Sequence, residues 1–127
     1  MRAIDTNVLV RLVARDDPDQ VRAAEEFVGK GAWVSNLVLA ETLWVLDSVY
    51  DLSRQQISTA VEMLLSHRDL TLQDADVVSS ALEHYRGRPK VGFSDCLVLE
   101  IARKAGHVPV GTFDREFAKL DDVQLLQ

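Results

Sequence analysis

Long apolar runs, paired cysteines and an excess of positive charge are all missing from these 127 residues, and each absence removes a class of protein. No stretch approaches the roughly 20 apolar residues that a membrane span needs. The most apolar segment, Leu37 to Leu46, is too short and is interrupted by Glu41. The single Cys96 has no partner for an internal disulfide, which fits a reducing cytoplasm rather than a disulfide scaffold. Met1 runs almost directly into the first apolar stretch without a basic leader, so no secretory signal is expected. Linkers rich in Pro, Gly or Ser, low-complexity tracts and internal repeats are absent too. With 47% apolar residues, the expectation is one cytoplasmic domain spanning residues 1–127.

The shortage of cations needs more care. Lys and Arg number 14 against 20 Asp and Glu, a net charge of −6. Proteins that bind nucleic acid are usually basic, so this balance speaks against such a partner. Divalent ions change the sum: two of them held by carboxylates would bring −6 to −2 and reverse the local field. Arg86, Arg88 and Lys90 also form a basic stretch ahead of Asp95. A phosphate-bearing substrate stays open.

What is present reads as alternating short strands and helices. Ala3-Ile4 is apolar and stops at Asp5-Thr6-Asn7, after which Val8 to Val13 opens a helix. Asp17-Pro18 has the form of a cap followed by proline at the first helical position. Ala32-Trp33-Val34 and Leu70-Thr71-Leu72 are strand candidates. Leu37 to about Tyr50 is a helix apolar on nearly every face, which predicts burial. Ser53 with Gln56 is a capping-box signature for the helix carrying Ile57, Ala60, Val61, Leu64 and Leu65. Asp74 is expected to cap a helix with Val78, Ala81, Leu82 and Tyr85. Asp95 is expected to start one that ends at Gly106. His107 to Val110 is a strand candidate, Asp114 begins a short helix, and Val123 to Leu125 is a final edge strand. This alternation implies parallel βαβ units, with ligands outside the carboxyl ends of the strands.

Carboxylates gather at those ends. Asp5, Asp95 and Asp114 each stand at an expected helix start, where an N-cap is the simplest reading of any one of them. Glu41 is the only charged residue between Leu37 and Leu46, and a carboxylate buried there would demand a strong partner. His67, His84 and His107 are scattered, with no nucleophile–base pairing, and fit surface or partly packed roles. The absence of a Cys/His set disfavours structural zinc. Oxygen-only ligation favours Mg²⁺ or Mn²⁺, and such ions suit phosphodiester hydrolysis by a metal-activated water.

At this point the chain resembles the PIN-domain ribonucleases, and among them the VapC-type toxins of bacterial toxin–antitoxin pairs. The resemblance rests on Ile4-Asp5-Thr6-Asn7-Val8-Leu9-Val10-Arg11, on Glu41 in its apolar helix, on Phe93-Ser94-Asp95-Cys96-Leu97 and on Gly111-Thr112-Phe113-Asp114. It implies a three-layer α/β/α domain around a central parallel sheet of four to five short strands. It implies that Asp5, Glu41, Asp95 and Asp114 form a metal-binding and catalytic quartet, supported by Asn7 and Thr112. It further implies Mg²⁺- or Mn²⁺-dependent cleavage of RNA, a homodimer, and a cognate antitoxin that docks over the site. Many relatives carry another acid where this chain has Gly92, and alanine where it has Cys96. The missing acid bears on the occupancy of a second metal, and Cys96 reads as a small core residue.

Other functions fit less well. A haloacid-dehalogenase-like phosphatase would place a second Asp where Asn7 stands. A receiver domain would need an acidic pair after the first strand and a Lys after a late one. The alternative of another class is a PIN-fold module that binds a partner protein or RNA without cutting. Arg11, Arg15, Arg86, Arg88, Lys90 and Arg115 are candidate phosphate contacts. Val38, Leu39 and Trp44 could serve either the core or an interface.

Overall fold

Five short strands, all paired in parallel, alternate with helices: β1 (Arg2–Ala3), β2 (Ala32–Val34), β3 (Leu70–Leu72), β4 (Val110–Thr112) and β5 (Val123–Leu125). In this computed structural model, which describes residues 1–127, two units are distinguished, Met1–Ala75 and Asp76–Gln127. The expected four to five parallel strands are present, hydrogen-bonded as a three-stranded sheet in the order β1-β2-β3 and a separate pair, β4-β5.

In the first unit, Ala32 pairs with Leu70 and Val34 with Leu72, so four small or branched side chains share one buried face. Parallel neighbours cannot be joined by a tight hairpin. Helices α1 (Thr6–Ala14) and α2 (Pro18–Val28) therefore link β1 to β2, and α3 (Asn36–Ser48) and α4 (Arg54–Ser66) link β2 to β3. Each helix start is chemically marked. Asp17 accepts the Gln20 amide ahead of α2, with Pro18 in the first turn. Ser35 accepts the Val38 amide at 3.1 Å. Ser53 and Gln56 close a full capping box, at 3.1 and 2.8 Å. Helix α1 packs against α2 and α3, and α4 against β3. Leu9, Leu39, Leu46 and Val61 are fully enclosed in this core.

The second unit is built on α5 (Ala75–Gly87), whose first residue lies at the boundary, and α6 (Phe93–Ala105). Tyr85 meets Phe93 edge to face, with ring centroids 5.5 Å apart. Gly106 ends α6 in the left-handed region (φ 82°), which a residue without a Cβ occupies freely. A 3₁₀ turn, Phe117–Lys119, connects β4 to β5 and buries Phe117.

Four expectations are corrected. Helix α3 is not buried all round: Leu37, Glu41 and Trp44, spaced by one turn, are exposed. Its apolar content exceeds what its one inward face can bury. Asp74 precedes α5 in the left-handed region (φ 47°) rather than in the extended backbone of an ordinary N-cap. Asp95 does not start α6; Gly92 does, and Asp95 lies in the first turn. Strand β4 begins at Val110, after Pro109, whose missing amide suits it poorly to a strand interior.

Candidate active site

The first acidic pair is assembled by neighbours on α1 and α3. Asp5 stands between β1 and α1 with extended backbone, and its Oδ1 accepts the Val8 amide at 3.1 Å. It is thus the N-cap, and it sits where the strand delivers it, at the carboxyl end of β1. The adjacent Thr6 donates its hydroxyl to Glu41 Oε1 at 3.4 Å, drawing the α3 carboxylate to the same corner. Glu41 is exposed, so burial does not force it to find a counter-charge. Asn7 is exposed beside Asp5. Together with Arg11, Gln20 and Phe27 these two residues line a cleft of about 410 Å³ between α1 and α2.

Arg11 is already engaged in that cleft. It donates to Gln20 and, at 3.1 and 3.3 Å, to the Tyr50 hydroxyl and Asp16. Tyr50 in turn donates to Asp16 at 2.7 Å, and this bond holds the Asp16 carboxyl below its ordinary range. The side chain positions α1 rather than standing free for phosphate. Arg2 lies over the Phe27 ring at 3.8 Å, a cation–π contact.

The second acidic pair belongs to the other unit. Asp95 is half-buried, and its carboxyl is pushed above the ordinary aspartate range, first by burial and second by the charge of Asp114. Asp114 is fixed by its own turn. Its amide donates to Thr112 Oγ1 at 3.0 Å, and its Oδ1 accepts the Glu116 and Phe117 amides at 2.9 and 3.3 Å. Thr112 therefore supports Asp114 directly. The structure ties Glu41 to Thr6, the neighbour of Asp5, and sets Asp95 within reach of the charge of Asp114. No group of three or more His, Cys, Asp or Glu side chains is arranged to hold a metal ion.

Sequence reasoning missed two features. Glu100 is only 8% exposed and is paired with His84 and Arg103, both at 3.1 Å. Arg103 also reaches Asp122 at 3.1 Å and the Asp121 carbonyl at 2.8 Å. The spacing of Glu100 and Arg103 by one helical turn was the only signal in the chain. Thr6 was the other omission, hidden because its partner is 35 residues away.

A family model described as the PIN domain matches residues 3–123. The chain belongs to the PIN-domain family. Among curated relatives of this PIN domain, a VapC ribonuclease of Aquifex aeolicus is 28% identical over 126 residues, covering 94% of this chain and 92% of its own. Among solved structures, the VapC20 toxin of Mycobacterium tuberculosis, described as cleaving the sarcin–ricin loop, is 20% identical, with 97% of each chain covered and a TM-score of 0.43. No helix of the PIN domain is long and apolar enough to cross a membrane.

Proposed function

We propose that this PIN domain is a VapC-type endoribonuclease, the toxin of a toxin–antitoxin pair, hydrolysing RNA phosphodiester bonds with Mg²⁺ or Mn²⁺. The observation that carries the reading is the corner at β1. In a chain of this family, Asp5 follows the first strand as the cap of α1, and the next residue, Thr6, holds Glu41 by a hydrogen bond. The relative from Aquifex aeolicus, a VapC ribonuclease matched over nearly its whole length, supports the same activity.

The donor set fits a hard divalent cation. All the candidate ligands are carboxylates, and the Asp95 carboxyl is pushed up first by burial and second by the charge of Asp114, a repulsion that a cation relieves. Asp5, Glu41, Asp95 and Asp114 would hold the ion, with Asn7 and Thr112 as polar support. When bound, it supplies positive charge to the scissile phosphate and lowers the pKa of water. The chain's own residues do the rest. Val8 and Thr6 orient Asp5 and Glu41, and the Thr112 hydroxyl and the turn amides orient Asp114. With His84 taken up by Glu100 and Arg103, no pair of histidines is placed for acid–base cleavage, which leaves hydrolysis by water, giving a 5′-phosphate and a 3′-hydroxyl, as the favoured chemistry. In this reading residues 1–127 act as a single nuclease domain in the cytoplasm, as a homodimer silenced by an antitoxin.

The test is cleavage of structured RNAs by pure, partner-free protein with Mg²⁺, Mn²⁺ or EDTA, beside Asp5→Asn. Cleavage that depends on metal and is lost in the variant is expected. Cleavage that persists unchanged in EDTA or in Asp5→Asn would overturn the metal-nuclease reading. Partner binding without any cleavage would favour a binding module.

A further inference from the structure

Phe113 is 78% exposed, the most exposed aromatic ring in the chain. Phe117, one turn further on, is 3% exposed, so a buried position for phenylalanine is available in this segment and Phe113 does not take it. Its backbone is held on both sides. The Asp114 amide is bonded to Thr112 Oγ1, and Asp114 Oδ1 accepts the next two amides, which fixes the turn and leaves the ring outward. Arg115, the residue beyond Asp114, is exposed and takes part in none of the molecule's ion pairs. Positions 113 to 115 thus offer an aromatic face, a site carboxylate and a free guanidinium in succession.

We propose that Phe113 and Arg115 seat one nucleotide of the substrate beside Asp114. Its base stacks on the Phe113 ring, and its phosphate pairs with the Arg115 guanidinium. This rests on the ribonuclease reading above and adds two substrate-contacting residues to it. Stacking on a side chain requires an unpaired base, so the nucleotide lies in a single-stranded segment. Every base has a π face, so discrimination is modest and follows stacking strength, purines over pyrimidines. In sequence Phe113 lies between Thr112 and Asp114 with Arg115 beyond, so the ring is accompanied by the hydrogen-bonding and cationic groups that a nucleotide needs.

The test is a cycle between side chain and base. A hairpin RNA cut by the wild-type protein with Mn²⁺ is compared with versions carrying one abasic nucleotide at each position around the cut. At one position the abasic RNA should lose about 5- to 100-fold in kcat/KM, mostly through KM, which is the worth of one stacked base. Phe113→Ala should lose a similar factor on intact RNA and nothing further at that position, while Phe113→Trp restores the wild-type value. Because the ring is exposed, the melting temperature of Phe113→Ala should match the wild type. Arg115→Ala should flatten the salt dependence of binding by about one unit in log–log slope. Undiminished cleavage by Phe113→Ala, or losses that multiply at every position, would overturn the proposal and leave the ring to a protein contact. A wild-type protein that cuts no RNA under any metal would instead overturn the ribonuclease reading, and this proposal with it.

Discussion

Asp5 uses one carboxylate for two purposes, and its substitutions separate them. Asparagine caps a helix as well as aspartate does, so Asp5→Asn keeps the bond from the Val8 amide while removing the charge. Cleavage should fall about 100- to 1,000-fold, the scale for loss of one electrostatic group in an active site, with little change in melting temperature. Asp5→Ala loses the cap as well, at a cost of about 1 kcal/mol, and should melt about 3–5 °C lower. A cold-melting Asp5→Asn would contradict this division. Asp95 makes the opposite case. Its folded-state carboxyl titrates above the unfolded value because it is half-buried and faces the charge of Asp114. Folding therefore favours its protonated form, and its ionised form destabilises the protein at neutral pH. That penalty disappears as pH falls through the raised folded value towards the unfolded value near 3.9. Without metal, Asp95→Asn should melt above the wild type at neutral pH and gain less than it on acidification. Thermal melts across that range decide the matter, and an equal or lower melting temperature at neutral pH would refute it.

At the scale of the element, local chemistry specifies most starts and ends. At the start of α4, Ser53→Ala removes the hydroxyl that accepts the Gln56 amide, while the bond from the Ser53 amide to Gln56 Oε1 stays available, and should cost about 1 kcal/mol, read by urea unfolding. No measurable loss would mean that tertiary packing and the remaining bond hold that helix end. Such signals made α2, α4, β2, β3 and the end of α6 legible, because cap residues, prolines and left-handed glycines act over three or four positions. Helix α3 was legible as a helix and misjudged in its burial. Its residues are apolar all round, so periodicity could not reveal that Leu37, Glu41 and Trp44 face outward. The inference that Glu41 must be paired because it is buried thereby loses its premise, while the Thr6 bond supplies a different one. Strand β4 was displaced because Val108-Pro109-Val110 looks extended in either register, and only pairing with β5 settles which residues join the ladder.

At the scale of the molecule, a net charge of −6 and the proposed acidic site point to the same experiment. A cation bound by the folded state alone stabilises it by mass action, about 2.7 kcal/mol at a concentration 100 times its Kd. Millimolar Mg²⁺ or Mn²⁺ should therefore raise the melting temperature of the wild type, by more than sodium chloride of equal ionic strength does. An unchanged temperature would count against metal binding by the free protein. The acids were legible one by one, each at a strand or helix boundary, and the family resemblance supplied their grouping. The partnerships that hold them were not legible, because Thr6 with Glu41 and Asp95 with Asp114 join residues distant in sequence through three-dimensional packing.

Cys96 follows Asp95 on α6 and is 0% exposed, and it is the only thiol in the chain. A thiol reagent can reach it only when its surroundings open, so the modification rate in native buffer counts those openings. Every protein molecule thus carries a built-in clock for the local stability of the helix that bears Asp95.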